Sequence, residues 1–182
     1  MKASASYFWS SSDFGSLLVL RGGVFEVERQ AIEIEGFEAS LSWQTPLPGL
    51  ALSGGYANLT GQTDGDGDGL IDEDLDGANI SPDRINLAAD YSAGRFSARA
   101  QARMYLEREF NDASTATDFE GYTLVDAFIS YRTDFGEISL AAQNLTNEFF
   151  ITYDSDTVRV TDSSRFFSGR GRTFTLSLRS EF

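Results

Sequence analysis

"RFSARAQARMYLE", residues 95–107, divides into two sets by simple alternation. Phe96, Ala98, Ala100, Ala102, Met104 and Leu106 fall on one side. Arg95, Ser97, Arg99, Gln101, Arg103, Tyr105 and Glu107 fall on the other. A helix would mix the two sets, whereas an extended chain sends successive side chains to opposite faces. The stretch reads as a β-strand with one greasy face and one polar face.

The pattern repeats outward from there. "INLAADY" sets Ile85, Leu87, Ala89 and Tyr91 against Asn86, Ala88 and Asp90. "EGFEASLSW" sets Phe37, Ala39, Leu41 and Trp43 against Glu38, Ser40 and Ser42. Just upstream, Ile32 and Ile34 have the opposite parity, which predicts a bulge near Gly36. "GYTLVDAFISY" is apolar on both faces except for Asp126, so its orientation stays open. Eight strands are expected, at about 2–10, 24–44, 50–60, 84–92, 95–107, 121–132, 137–149 and 171–182. Tight turns at 45–49, 92–94 and 133–136 alternate with long polar loops at 11–23, 61–83, 108–120 and 150–170. That rhythm predicts an antiparallel up-and-down sheet.

Composition narrows the function. The net charge of −14 argues against nucleic acid as a partner. Cysteine and histidine are both absent, which removes thiol chemistry, disulfides and the commonest general base. No constellation for catalysis is visible, so no enzyme is expected. Thirteen Arg accompany a single Lys, Lys2, a bias that suits anionic partners and also arises from genome composition alone.

No run of eighteen apolar residues exists, which excludes a transmembrane helix but not transmembrane strands. A soluble barrel would turn the greasy face inward, and a membrane barrel would turn it outward. Three features favour outward. Several strands reach the roughly 9–11 residues a tilted membrane strand needs. Long polar groups such as Arg99, Gln101 and Arg103 suit a wet interior. The greasy face is rich in Ala, a poor filling for a closed core. Trp9, Trp43, Tyr56, Tyr91, Phe149 and Phe150 fall near the expected strand ends, where a membrane barrel carries aromatic girdles.

The loop at 61–83 holds "TDGDGDGLIDEDLDG", residues 63–77, with seven acidic side chains. Asp64, Asp66, Asp68, Gly69 and Asp72 begin like a calcium loop, with Leu70 offering a carbonyl. At position twelve Leu75 replaces the bidentate Glu, and Asp74 or Asp76 would have to substitute. Calcium is one expectation, and a solvated acidic loop is the other. In both, the loop decorates the sheet and the fold does not depend on it.

Four segments resemble a known family, the bacterial TonB-dependent outer-membrane receptors. "GRGRTFTLSLRSEF" resembles their closing strand, and "AAQNLTNEFFITY" their penultimate one. "VERQAIEIEGFEASLSWQ" and "DLDGANISPDRINLAADY" resemble upstream strands and a loop of siderophore receptors. The resemblance implies a 22-stranded transmembrane β-barrel around a plug domain, importing ferric siderophores across the outer membrane with energy relayed by the TonB complex. No plug precedes the strands, and 22 strands of about ten residues need more than this chain holds. Residues 1–182 are therefore expected to be a single all-β barrel segment, the last eight strands, carrying an extracellular acidic loop.

The same resemblance supplies candidate roles. Arg99, Arg103 and Arg108 on the lumen side would meet an anionic ferric chelate. Arg165, Phe166, Phe167 and Arg170 would sit in a gating loop. Phe174, Leu176, Leu178 and Phe182 would form the signal read by the outer-membrane assembly machinery. Wall arginines paired with neighbouring carboxylates are the plainer alternative. No cofactor is required. A self-contained eight-stranded outer-membrane barrel and a soluble calcium-binding β-protein remain alternatives to the receptor.

Overall fold

Each alternating stretch forms a strand. The computed structural model describes residues 1–21, 23–111, 114, 116–157 and 167–180. Its elements are β1 (Lys2–Arg21), β2 (Val24–Gln44), β3 (Leu50–Thr63), β4 (Glu73–Asp74), β5 (Arg84–Ala93), β6 (Phe96–Tyr105), β7 (Tyr122–Thr133), β8 (Gly136–Gln143), α1 (Tyr153–Thr157) and β9 (Thr173–Arg179). The eight long strands lie in chain order, each antiparallel to the next, and two-residue β4 pairs with β3. Among the described residues β1 and β9 do not pair, so the sheet is an open arc. No described helix is long and apolar enough to cross a membrane, which says nothing of strands.

Register carries the two faces across the sheet. Ser4 lies opposite Ser40, Ser40 opposite Gly55, Gly55 opposite Asn86 and Asn86 opposite Arg103. Gln101 lies opposite Asp126, which settles the ambiguous strand: Asp126 is on the polar face. On the other face Ala39, Tyr56, Ile85 and Met104 follow one another across four strands. Ile129, Leu140 and Leu176 continue it. These apolar side chains are not buried against one another in a dry centre: Leu176 is 75% exposed, and Leu87, Ile129 and Phe174 are exposed as well.

Several sequence expectations are corrected. Residues 11–21 are strand, not loop: β1 continues to Arg21 and pairs with β2 up to Val24. The register runs unbroken through Gly36, so no bulge lies there; the irregularity is between Ser12 and Gly15. Gly36 serves instead as a seat for the Phe8 ring, which a Cβ at that position would strike. β8 stops at Gln143, where Asn144 and Asn147 adopt positive φ (49° and 58°), a conformation Asn tolerates better than most residues. β9 ends at Arg179.

Ile32 and Ile34 have a different explanation from a bulge. They share a face with Gly36, Glu38 and Ser40, the polar face, at a height where that face is covered. Leu17, Leu75 and Ile80 form a buried cluster there, with Val19, Ile32, Ile34 and Leu59 packed against it. Leu75 and Ile80 come from the acidic loop. The loop folds back over the tall β1–β2 hairpin and supplies part of the buried core, so it is not an ornament. Below it the apolar stripe faces outward; beside it the stripe crosses to the inside.

Candidate ligand-facing wall and loop end

The polar face is organised by one carboxylate. Asp126 accepts from Arg103 Nη2 (2.9 Å), Gln101 Nε2 (2.9 Å) and the Asn144 backbone N–H (2.8 Å). Asn144 is buried and donates through Nδ2 to the carbonyls of Glu148 (2.8 Å) and Arg170 (3.1 Å), tying β7, the turn after β8 and the approach to β9 together. Arg99 pairs with Asp90 across β5 and β6 at 3.1 Å. Arg99 and Arg103 thus face the same side and are both paired with wall carboxylates. Arg103 keeps a buried Nε without a partner. Beside them lies a shallow depression of about 510 Å³, lined among others by Ser4, Ser40, Ser53, Asn86, Gln101 and Arg103.

Arg108 stands higher, at the loop end, and works as a strut. Its Nη1 donates to Tyr153 Oη (3.1 Å), its Nη2 to the Leu59 carbonyl (2.6 Å), and its guanidinium lies over Phe110. Around it Tyr105, Phe119 and Phe150 each pack against the Tyr122 ring, and Phe119 also meets Tyr153 edge-on, with centroids 4.4 to 5.7 Å apart. Nothing in the alternation pattern marks this aromatic cluster, because Phe119 and Phe150 belong to loops and Tyr153 opens the short helix α1.

Three loops meet at Thr157, which is 0% exposed. Gly77 N–H donates to Thr157 Oγ1 (2.9 Å), and Thr117 N–H to the Thr157 carbonyl (3.1 Å). A Cβ at Gly77 would strike Thr157, so glycine permits this approach. Burial raises the Asp76 carboxyl pKa above its ordinary value, against the lowering effect of hydrogen bonds from Asn79 and Ala78. Burial likewise raises Asp156, with help from Glu120, and raises Tyr153 against the opposing Arg108 cation.

In the acidic loop one carboxylate oxygen each from Asp64, Asp66 and Asp68 lies within 4.8 Å of the others. Asp64 Oδ1 is buried and has no hydrogen-bond partner. Asp74 and Asp76 do not join the group. Asp74 binds Gln62 Nε2 (3.0 Å) and the Asn111 N–H (3.0 Å), and Asp76 caps Ala78 and Asn79. Asp72 and Leu70 lie between, with Leu70 N–H donating to Asp68 Oδ1.

Of the expected gating residues, Phe167 and Arg170 are exposed, while Arg165 and Phe166 lie outside the described residues. Phe174, Leu176 and Leu178 share the outward apolar face, and Phe182 also lies outside the described residues.

A long-stranded antiparallel sheet with one greasy outer face, tight turns at one end and packed loops at the other defines a membrane-type barrel wall. The chain belongs to the TonB-dependent receptor-like β-barrel family, whose model matches residues 3–145. No curated protein matches the chain in sequence. Among solved structures it is similar to the copper transporter OprC (TM-score 0.74, 19% identity, 94% of this chain and 27% of that one). It is also similar to the ferric-catecholate import receptor Fiu of E. coli K12 (TM-score 0.61, 20% identity, 96% and 24%). A third is the FrpB iron transporter of Neisseria meningitidis (TM-score 0.65, 16% identity, 96% and 28%). At these identities the likeness is one of fold. The chain spans about a quarter of the length of these receptors. Family and neighbours are transport receptors rather than enzymes.

Proposed function

We propose that the chain forms part of the barrel wall of an outer-membrane receptor that imports ferric siderophores, working with a plug domain and the TonB complex. The observation that carries this is the division of one sheet into an outward apolar face and a polar face bearing Arg99, Arg103, Gln101 and Asp126. In a barrel of this kind the first face meets lipid, and the second lines the bore that a solute crosses. Tight turns then lie on the periplasmic side, and the tied loops lie outside the cell. The iron-importing neighbours favour a ferric chelate as solute. Arg99 and Arg103 are engaged by Asp90 and Asp126, so they set the charge pattern of the wall, and exposed Arg170 and Phe167, with Arg165 and Phe166 beside them in sequence, are the better contacts for an anionic chelate. The test is radiolabelled ferric-siderophore uptake by cells carrying Arg165→Ala and Arg170→Ala together. Uptake falls at equal receptor abundance; unaltered uptake removes both residues.

A second reading concerns the loop. Calcium takes six to eight oxygens, and three convergent carboxylates with an orphaned buried Asp64 Oδ1 fit the start of such a set. Asp64, Asp66, Asp68, the Leu70 carbonyl and Asp72 would hold the ion, with water completing the shell. Calorimetry with calcium tests it: Asp66→Ala weakens binding, and an identical isotherm for both proteins excludes the site.

A further inference from the structure

β1 has one unpaired edge, and its two halves differ. The Asp64 N–H donates to the Ala31 carbonyl, so odd-numbered β2 residues turn their backbone groups toward β3 and even-numbered ones toward β1. Through the register from Lys2↔Ser42 to Ser12↔Ile32, Ala3, Ala5, Tyr7, Trp9 and Ser11 then point their N–H and C=O groups away from β2. Above the shift at Ser12/Gly15, the same rule turns Ser16, Leu18 and Leu20 to the open edge.

In the upper half the chain's own side chains cap the backbone at Phe14 and Leu18. Phe14 N–H donates to Ser12 Oγ (3.3 Å), and Arg29 Nη1 donates to the Phe14 carbonyl (3.1 Å). Asn79, from the acidic loop, takes both groups of Leu18: Leu18 N–H donates to Asn79 Oδ1 (2.8 Å), and Asn79 Nδ2 donates to the Leu18 carbonyl (3.0 Å). Asp76 holds that amide in place at 2.8 Å. One side-chain amide therefore occupies both ladder positions that a neighbouring strand would need. The lower half has no such cover among the described residues. It runs from Ala3 to Ser11, close to the roughly 9–11 residues of a membrane-crossing strand. Its side chains Ala3, Ala5, Tyr7 and Trp9 lie on the apolar face. In lipid, a row of unpaired N–H and C=O groups is satisfied only by another strand.

In a closed receptor barrel the β1 edge from Ala3 to Ser11 is the seam for one antiparallel strand from outside these 182 residues. We propose that this pairing stops at Ser11, ended by the Ser12/Gly15 irregularity and by the Asn79 cap on Leu18. The upper β1–β2 hairpin then stands without a neighbour on that side. The proposal rests on the membrane reading above. A strand from the remainder of a receptor barrel is the occupant, because the chain spans only about a quarter of the receptors it matches. The chain's own β9 is a shorter candidate, seven residues at the far end of the sheet. The docked strand presents apolar side chains beside Ala5, Tyr7 and Trp9, and small or polar ones beside Ser4, Ser6 and Ser10.

Residue-resolved hydrogen exchange on the receptor purified from outer membranes tests the seam. Amides of Ala5, Tyr7 and Trp9 should exchange about a hundredfold more slowly than those of Ser16 and Leu20. Leu18 should be protected, and Asn79→Ala should make it as labile as Ser16. Protection running through Ser16 and Leu20 overturns the proposal, as does lability at Ala5 to Trp9 or a Leu18 amide indifferent to Asn79→Ala. The sequence has no cysteine, so Ala5→Cys with Leu176→Cys tests the occupant in the same preparation. Absence of a disulfide supports an outside strand; an intramolecular disulfide assigns the seam to β9, a disulfide-linked dimer to a second copy, and each overturns the stated occupant. Alkaline extraction of the protein from membranes would instead refute the membrane reading, whatever the amides show.

Discussion

Removing the Asp126 carboxylate should be among the most costly single changes on the polar face. Asp126→Ala deletes one acceptor of three hydrogen bonds: from Arg103, from Gln101 and from the Asn144 backbone. The Asp126 side chain is 13% exposed and that of Arg103 41%, so water rescues the guanidinium only in part. A hydrogen bond involving a charged group contributes about 1.5–3 kcal/mol and a neutral one about 0.5–1.5 kcal/mol. All three bonds end on the carboxylate, so the low end for each sums to about 4.5 kcal/mol, and water reaching the half-exposed arginine lowers the expected loss to roughly 3–4 kcal/mol. Asp126→Asn keeps an oxygen for the Asn144 N–H while losing the charge, and should cost about half as much. The assay is reversible urea unfolding of the purified protein in lipid bilayers, read by tryptophan emission from Trp9 and Trp43. The double variant with Arg103→Leu should recover part of the loss, because the orphaned cation is then gone. If Asp126→Ala lies within about 0.5 kcal/mol of the parent, the wall is not organised by this carboxylate.

Two further outcomes test the faces and the loop end. Leu176→Arg should destabilise the protein in bilayers by about 2–4 kcal/mol if it lies near the midplane, while Thr175→Arg, on the polar face, should be nearly neutral; equal costs would contradict the outward reading. Asp76 has a carboxyl pKa raised by burial, so the folded state holds its proton more tightly than the unfolded state. Stability of the loop end should therefore be highest below the ordinary carboxylate value and fall as pH rises through the raised one, then level off. Asp76→Asn should flatten that dependence in a pH series of thermal unfolding, and an unchanged slope would show that Asp76 does not carry it.

How much of this was legible in the sequence depends on which solvent each residue faces. Over residues 95–107 alternation is complete because, on the membrane reading, one face meets lipid and the other water, and parity alone then places Arg99, Arg103, Phe96 and Ala102 correctly. Asp126 could not be oriented, because Leu124 and Phe128 share its face and blur the alternation; its partners Gln101 and Arg103 sit on another strand, and only register reveals them. Ile32 and Ile34 misled for the opposite reason. Their pattern is as clear as any, but the apolar stripe there faces Leu17 and Leu75 rather than lipid, and a change of covering looks like a change of register.

The sheet therefore has two tiers, and each tier follows a different rule. From Lys2 to about Trp9 on β1, Ala3, Ala5, Tyr7 and Trp9 point out, and the edge is bare among the described residues. Only Phe8 among the large apolar groups there turns in, onto Gly36. Above, Leu17, Val19, Ile32 and Ile34 point in under cover of the acidic loop, Leu18, Phe25 and Val27 stay exposed on the outer side, and Asn79 caps the edge at Leu18. Trp9 marks the change. It lies opposite Glu35 in the interior of β1 rather than at a strand end, yet it stands where Glu33 and Glu35 break the apolar outer face. An aromatic ring at that row is where an amphipathic side chain gains most, with its body in lipid and its N–H in water. On the membrane reading Trp9 marks the boundary between the tiers, and the strand runs past it.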